Sequence, residues 1–159
     1  GEGKNVELVI EAFIELYKRG SKAQIAFYGG TEERLEELRN RYDLPPTIHF
    51  KGIVDEVPYH LHQCYLSASF TELFANACVE ALSQGLLALL SDVEIAHRFY
   101  AGQSDAIRLF RNKAQLIQMI EEMEQADYRQ SNAENIALAA HYSLGTVAQS
   151  YRELLDRNF

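Results

Sequence analysis

An α/β fold built on a doubly wound parallel sheet is what this sequence predicts, on three observations. Segments with helical periodicity alternate with strand-like segments along most of its length. The strands are apolar runs rather than alternating ones, as expected when helices cover both faces of a parallel sheet. Glycines and prolines sit at the joins.

The elements follow in order. Asn5 to Arg19 places Val6, Val9, Ile10, Phe13 and Tyr17 on one helical face, and Gly20 ends the helix. Ala23 to Tyr28 reads as a strand stopped by Gly29-Gly30; Thr31 caps the next helix, whose buried side carries Leu35, Leu38 and Tyr42. Pro45-Pro46 break the chain before a short strand, Ile48 to Phe50, and Gly52-Ile53-Val54 makes a turn. A short helix from Val57 to Gln63 leads to a strand from Tyr65 to Ala68, then a helix from Leu73 to Ser83. The apolar strand Leu86 to Leu90 and a last strand, Ala106 to Phe110, precede three C-terminal helices: Lys113–Glu124, Ser131–His141 and Thr146–Arg157.

The composition narrows the function. At 159 residues the chain is one domain long, and 47% hydrophobic with 24% charged residues describes an ordinary globule. Fifteen basic against 23 acidic residues give a formal charge of −8, which repels nucleic-acid phosphate and anionic lipid; neither is expected as a general partner. A local pocket for a small anion is compatible with that balance. Cys64 and Cys78 sit in apolar stretches without CxxC spacing, so buried free thiols in a reducing compartment are expected. No apolar run approaches the roughly 18 residues needed to span a bilayer, and no signal peptide is visible, so a cytoplasmic location is expected.

Open parallel sheets bind ligands at the carboxyl ends of their strands, where loops enter helix N-termini. Four loops qualify: 1–4, 29–31, 52–55 and 69–74. The first joins directly to a helix where this fold expects a preceding strand, so the chain reads as a fragment of a longer protein lacking its first strand. In the fourth, Glu72 and Glu80 stand eight positions apart, about 12 Å along a helix axis, with free amides between them that suit a phosphate. Eight-residue spacing of two glutamates arises often by chance, and the spacing alone does not decide between ligand site and solvated helix face.

Ser69-x-x-Glu72-x-Phe74 followed by Glu80-Ala81-Leu82-x-x-Gly85 resembles the E-x7-E signature of retaining glycosyltransferases of the two-domain GT-B architecture, the group 1 or family 4-like enzymes. Gly3-Lys4-Asn5 resembles that family's donor-phosphate loop, Phe50-x-Gly52-x-Val54 its strand and turn near the base, and Tyr142-Ser143 with the last helix its C-terminal pattern. The likeness is collinear from Gly3 to about Leu155. It implies a Rossmann-like, C-terminal donor domain over residues 1–159, with the N-terminal acceptor domain absent from this chain.

The resemblance also implies roles. Lys4 would contact the diphosphate of a nucleoside-diphosphate sugar, and Glu72 would lie against the donor sugar. Glu80 would accept hydrogen bonds from the ribose, and the amides of Leu73 and Phe74 would bind phosphate. The main chain at Val54 would contact the base, the Gly29-Gly30 turn would admit the diphosphate, and Asn76 stands where donor sugars are discriminated. The donor is a substrate, no cofactor is implied, and the acceptor is a glycan or lipid-linked molecule held by the other domain, where peripheral membrane contact could arise. No Asp-x-Asp is present, so charge on the departing diphosphate would be met by Lys4 and the helix N-terminus without metal.

Two departures keep an alternative open. Gly85 is not followed by the family's usual proline, and Ser91-Asp92-Val93-Glu94-Ile95-Ala96 lacks the glycines expected near the donor phosphates. Side chains there could crowd the donor, as in a degenerate, non-catalytic domain kept as an assembly partner of an active transferase. His60 and His62 point to different faces of a short helix, and His49 and His141 read as structural. His97 lies near the presumed donor loop, where a sugar contact is conceivable. Glu121, Glu122 and Glu124 read as a solvated helix face, and Ser69 has no base in sequence to activate it.

Overall fold

The computed structural model describes residues 4–69, 76–93, 96, 107–125 and 136. These contain helices α1 (Val6–Lys18), α2 (Glu32–Arg41), α3 (Asn76–Ser83) and α4 (Lys113–Met123). The strands are β1 (Ile25–Tyr28), β2 (Ile48–Gly52), β3 (Cys64–Ser67), β4 (Leu87–Ser91) and β5 (Ile107–Phe110), with a 3-10 turn at Tyr59–Leu61 before β3. All strand pairing is parallel. The expected helices over Ser131–His141 and Thr146–Arg157 lie outside the described residues except for Ile136, which is helical and exposed.

Two compact units are present. One holds the described residues of Gly1–Asn5 and Tyr59–Arg111; the other holds Val6–Pro58 and those of Asn112–Ala126. In the first, β4 lies between β3 and β5, in register Cys64↔Leu87 and Ala88↔Ile107. Every residue of β4 is buried, which is why its sequence shows no polar alternation. Helix α3 packs on β3 and β4 through Cys78 and Leu82, which join Ala88, Leu90 and Ile107 in one cluster. That face leaves Glu80, on the opposite side of the helix, exposed. Hydrogen bonds from Leu86 N–H to Ala81 C=O and from Gly85 N–H to Leu82 C=O close the helix as a Schellman turn, and Gly85, at φ +82°, occupies its left-handed position.

In the second unit β1 and β2 pair from Ile25↔Ile48 to Tyr28↔Gly52, with a register shift between Phe27 and Tyr28. Helices α1 and α4 pack together, burying Val9, Ile10, Ala12, Phe13 and Leu16 of α1 and Leu116, Ile117 and Ile120 of α4. Tyr17, expected on the buried face, is 47% exposed instead. The buried stripe runs through Leu16, and Tyr17 in the last turn falls outside it. Arg19 bridges the pair, reaching Glu15 at 3.0 Å and Glu121 at 2.7 Å. Glu124 accepts from Ser21 and from Ala23 N–H. Thr31 caps α2 as expected, its hydroxyl accepting from Arg34 N–H at 3.2 Å, and Leu35 and Leu38 are buried. The predicted helix over Val57–Gln63 shrinks to the single turn Tyr59–Leu61, because β3 begins at Cys64 and leaves no length for a second turn.

Candidate functional site

In the first unit, polar side chains gather where the apolar strands end. Ser91, the last residue of β4, is buried, and its hydroxyl donates to Ser67 C=O across to β3 at 3.3 Å. Ser67 Oγ accepts from Ser69 N–H at 3.4 Å, and Ser69 is itself buried. Asp92 follows β4, donating its N–H to Phe110 C=O of β5 and accepting from Arg111 Nε at 2.6 Å. Serines and a charged pair at the carboxyl edge of a wholly apolar sheet mark the edge where this fold class receives ligands.

Glu80 projects from the solvent side of α3. One carboxylate oxygen, Oε2, lies 3.3 Å from the hydroxyl of Tyr59, which donates to it. Burial, then the charge of Glu80, pushes the Tyr59 phenol above its ordinary value, so it remains a donor throughout the neutral range. Lys4 is exposed and falls in the same compact unit as Glu80, though 76 residues earlier in sequence (80 − 4). Asn5, beside it, has φ +50°, a left-handed conformation that asparagine tolerates better than most residues. Glu72, Leu73 and Phe74 lie outside the described residues; Asn76 is the first residue of α3.

Gly29, Gly30 and Val54 belong to the other unit. Gly29 N–H donates to Gly52 C=O at 2.7 Å, locking the bulge that turns the chain out of β1. Gly30 has φ +82°, a backbone conformation that favours glycine, and a Cβ there would stand 3.3 Å from Leu35 Cδ2, close enough that the leucine would have to shift. The helix this turn enters is already supplied with negative charge: Thr31 caps it and Glu32 and Glu33 occupy its first turn. An anion here would therefore meet glycine backbone rather than a free helix terminus. Past β2, Ile53 is 80% and Val54 38% exposed, an apolar pair presented to solvent after a strand end.

Sequence reasoning missed Tyr59, Arg111 and the Asp92 ion pair. No short-range spacing marks a contact between residues 19 or 21 positions apart on different elements. Among the described residues, no three His, Cys, Asp or Glu converge on a metal position. Cys64 and Cys78 are free, and burial pushes the Cys64 thiol up to about 12. A shallow depression of about 400 Å³ on the second unit, lined by Arg19, Ala114, Gln118, Glu121, Glu122 and Gln125, contains none of the predicted residues. No described helix is long and apolar enough to cross a membrane.

Comparison with known proteins gives this geometry a family. The sequence profile of the glycosyl transferases group 1 matches residues 2–125. Among solved structures, the pneumococcal O-GlcNAc transferase GtfA in complex with UDP and GlcNAc superposes with a TM-score of 0.72 at 20% identity, covering 99% of this chain and 34% of that one. HepE from Anabaena in complex with UDP-glucose gives 0.73 at 16% identity, covering 99% and 46%. A glycosyltransferase from Rickettsia africae gives 0.75 at 17% identity, covering 96% and 45%. This chain thus spans between a third and just under half of the length of those proteins. No match is found among curated proteins. The architecture is the Rossmann-like α/β fold of GT-B glycosyltransferases, and the chain belongs to the group 1 glycosyltransferases.

Proposed function

We propose that this chain is the donor-binding part of a glycosyltransferase that takes a sugar from a nucleoside diphosphate and passes it, with retention, to a glycan or lipid-linked acceptor held elsewhere in the full protein. The observation that carries the reading is Glu80, turned outward from α3 and falling in the same compact unit as Lys4. Glu80 accepts from the ribose hydroxyls, and Lys4 offsets charge on the diphosphate as the bond between the anomeric carbon and the phosphate oxygen breaks. In the same reading Glu72 holds the donor sugar and the amides of Leu73 and Phe74 take phosphate. The Gly29-Gly30 turn gives close backbone approach to an anion, Val54 contacts the base, and Asn76 bears on the choice of sugar. Fixed positive groups supply the electrostatic stabilisation, and a cytoplasmic setting fits a nucleotide-sugar donor.

A specific observation favours a second reading. The loop that lacks the family's glycines carries Asp92 held to Arg111, which puts a carboxylate at the strand ends of a unit expected to bind diphosphate. A degenerate domain serving as assembly partner of an active transferase would tolerate that. Calorimetric titration with UDP, GDP and ADP separates the two. Binding of one of them that weakens in both Glu80→Ala and Lys4→Ala supports the transferase; absence of heat at about 1 mM ligand, a level where even weak sites register, favours the assembly partner.

A further inference from the structure

We propose that Tyr59 is a positioning residue for nucleotide binding: its hydroxyl, 3.3 Å from Glu80 Oε2, fixes the Glu80 carboxylate in the orientation that receives the vicinal hydroxyls of the donor ribose. The inference rests on the reading of Glu80 as the ribose acceptor and adds to it the device that makes Glu80 ready.

Glu80 needs such a device. It stands on the exposed face of α3, with a flexible side chain whose ordering on ligand binding costs conformational entropy. The hydrogen bond that its carboxylate accepts from Tyr59 comes from a different element, 21 residues upstream. The Tyr59 backbone is itself restrained: Pro58 fixes the entry to the 3-10 turn, and His62 N–H donates to Tyr59 C=O at 3.0 Å, directly ahead of β3. The tyrosine ring is half-buried, so its hydroxyl is aimed from a packed base rather than from a free side chain.

The chemistry is complementary. A carboxylate has about four lone-pair sites and donates nothing when ionised. One donor from Tyr59 leaves Oε1 untouched and a lone pair on Oε2, which together match the two donors of a ribose cis-diol. At 3.3 Å the phenol–carboxylate contact is longer than the roughly 2.5–2.7 Å of a tight charge-assisted bond, so it orients the carboxylate without saturating it. It therefore holds the acceptor plane without competing for both oxygens.

The test compares binding of the tightest ligand among UDP, GDP and ADP with its 2′-deoxy counterpart, for the wild-type protein, Tyr59→Phe, Glu80→Asp and Glu80→Ala. Tyr59→Phe keeps the ring and removes only the hydroxyl; Glu80→Asp breaks the same contact from the other side, so the inference remains testable if either variant folds poorly. Loss of one long, orienting hydrogen bond of ordinary strength predicts a Kd for the ribonucleotide weakened about three- to tenfold. The ribo-over-deoxy preference should shrink with it in Tyr59→Phe and Glu80→Asp and vanish in Glu80→Ala. In the Glu80→Ala background, Tyr59→Phe should add nothing. Equal weakening of both ligands, or no change in a folded Tyr59→Phe protein, overturns the inference and leaves the donor-binding reading intact. A wild-type protein that binds none of the nucleotides, or binds them independently of Glu80, overturns both.

Discussion

Replacing Leu90 by alanine tests the packing that holds α3 on its sheet. Leu90 is 5% exposed in the middle sheet strand of its unit, and its cluster includes Cys78 and Leu82 of α3 and Ile107 of β5. Removing three buried carbons forfeits about 2 kcal/mol of transfer free energy at ~0.8 kcal/mol per methylene. The strand is hydrogen-bonded on both edges and cannot move inward, so the void closes only in part. A residual cavity of roughly 40 Å³ adds about 1 kcal/mol at ~24 cal/mol per Å³. The total of about 3 kcal/mol is read from urea unfolding followed by circular dichroism, with the slope m required to stay constant. Leu61, 70% exposed on the 3-10 turn, supplies the control, and its alanine variant should stay within about 0.5 kcal/mol of wild type. A Leu90→Ala protein losing less than about 1 kcal/mol at unchanged m would contradict the placement of this side chain in the core.

Two further outcomes follow from the electrostatics. Desolvation raises the Glu7 carboxyl, but the Arg34 hydrogen bond, with Arg34 and Arg41 charge, outweighs it and holds the pKa below the ordinary value. A depressed acid stabilises the fold above its unfolded pKa of about 4.3 and loses that contribution as pH falls through the folded value. Arg34→Ala should therefore cost about 0.5–1 kcal/mol at pH 7 for this half-exposed pair, and progressively less below pH ~4, in urea melts across pH; a cost independent of pH would refute the assignment. The cysteines supply the other. With Cys64 pushed up to about 12 and Cys78 fully buried, the native protein at pH 8 should react with a thiol-specific disulfide reagent on the order of a thousandfold more slowly than in denaturant. Stoichiometric labelling within minutes of mixing would refute the burial.

What could be read beforehand was whatever a local pattern encodes. The apolar run at Leu86 to Leu90 announced a strand covered on both faces, and β4 occupies Leu87–Ser91 with every residue buried. Thr31 followed by a polar first turn announced a cap, and its hydroxyl does accept from Arg34 N–H. Tyr17 went wrong because periodicity places a residue by angle alone, while burial also depends on how far the packed surface extends along the helix. The 3-10 turn was overestimated because a proline followed by Tyr59-His60-Leu61-His62-Gln63 looks the same whether one turn or two can form before the next strand. The Tyr59–Glu80 and Asp92–Arg111 contacts carry no local signature; they exist only because separate elements converge.

The middle strand also has a life before it is covered. Leu86-Leu87-Ala88-Leu89-Leu90 carries no charge and no proline, the composition of a self-associating segment when left unpaired. Its neighbour β5 begins at Ile107, 16 residues beyond the end of β4 (107 − 91), so during synthesis one edge waits for a partner that has yet to be made. Heat, truncation or a packing defect that frees β5 would expose a template for intermolecular β-pairing. The yield of this chain therefore depends on how long its fully buried strand goes unescorted, and a charge introduced at exposed Gln84, ahead of the run and away from the ligand edge, should raise yield without touching affinity.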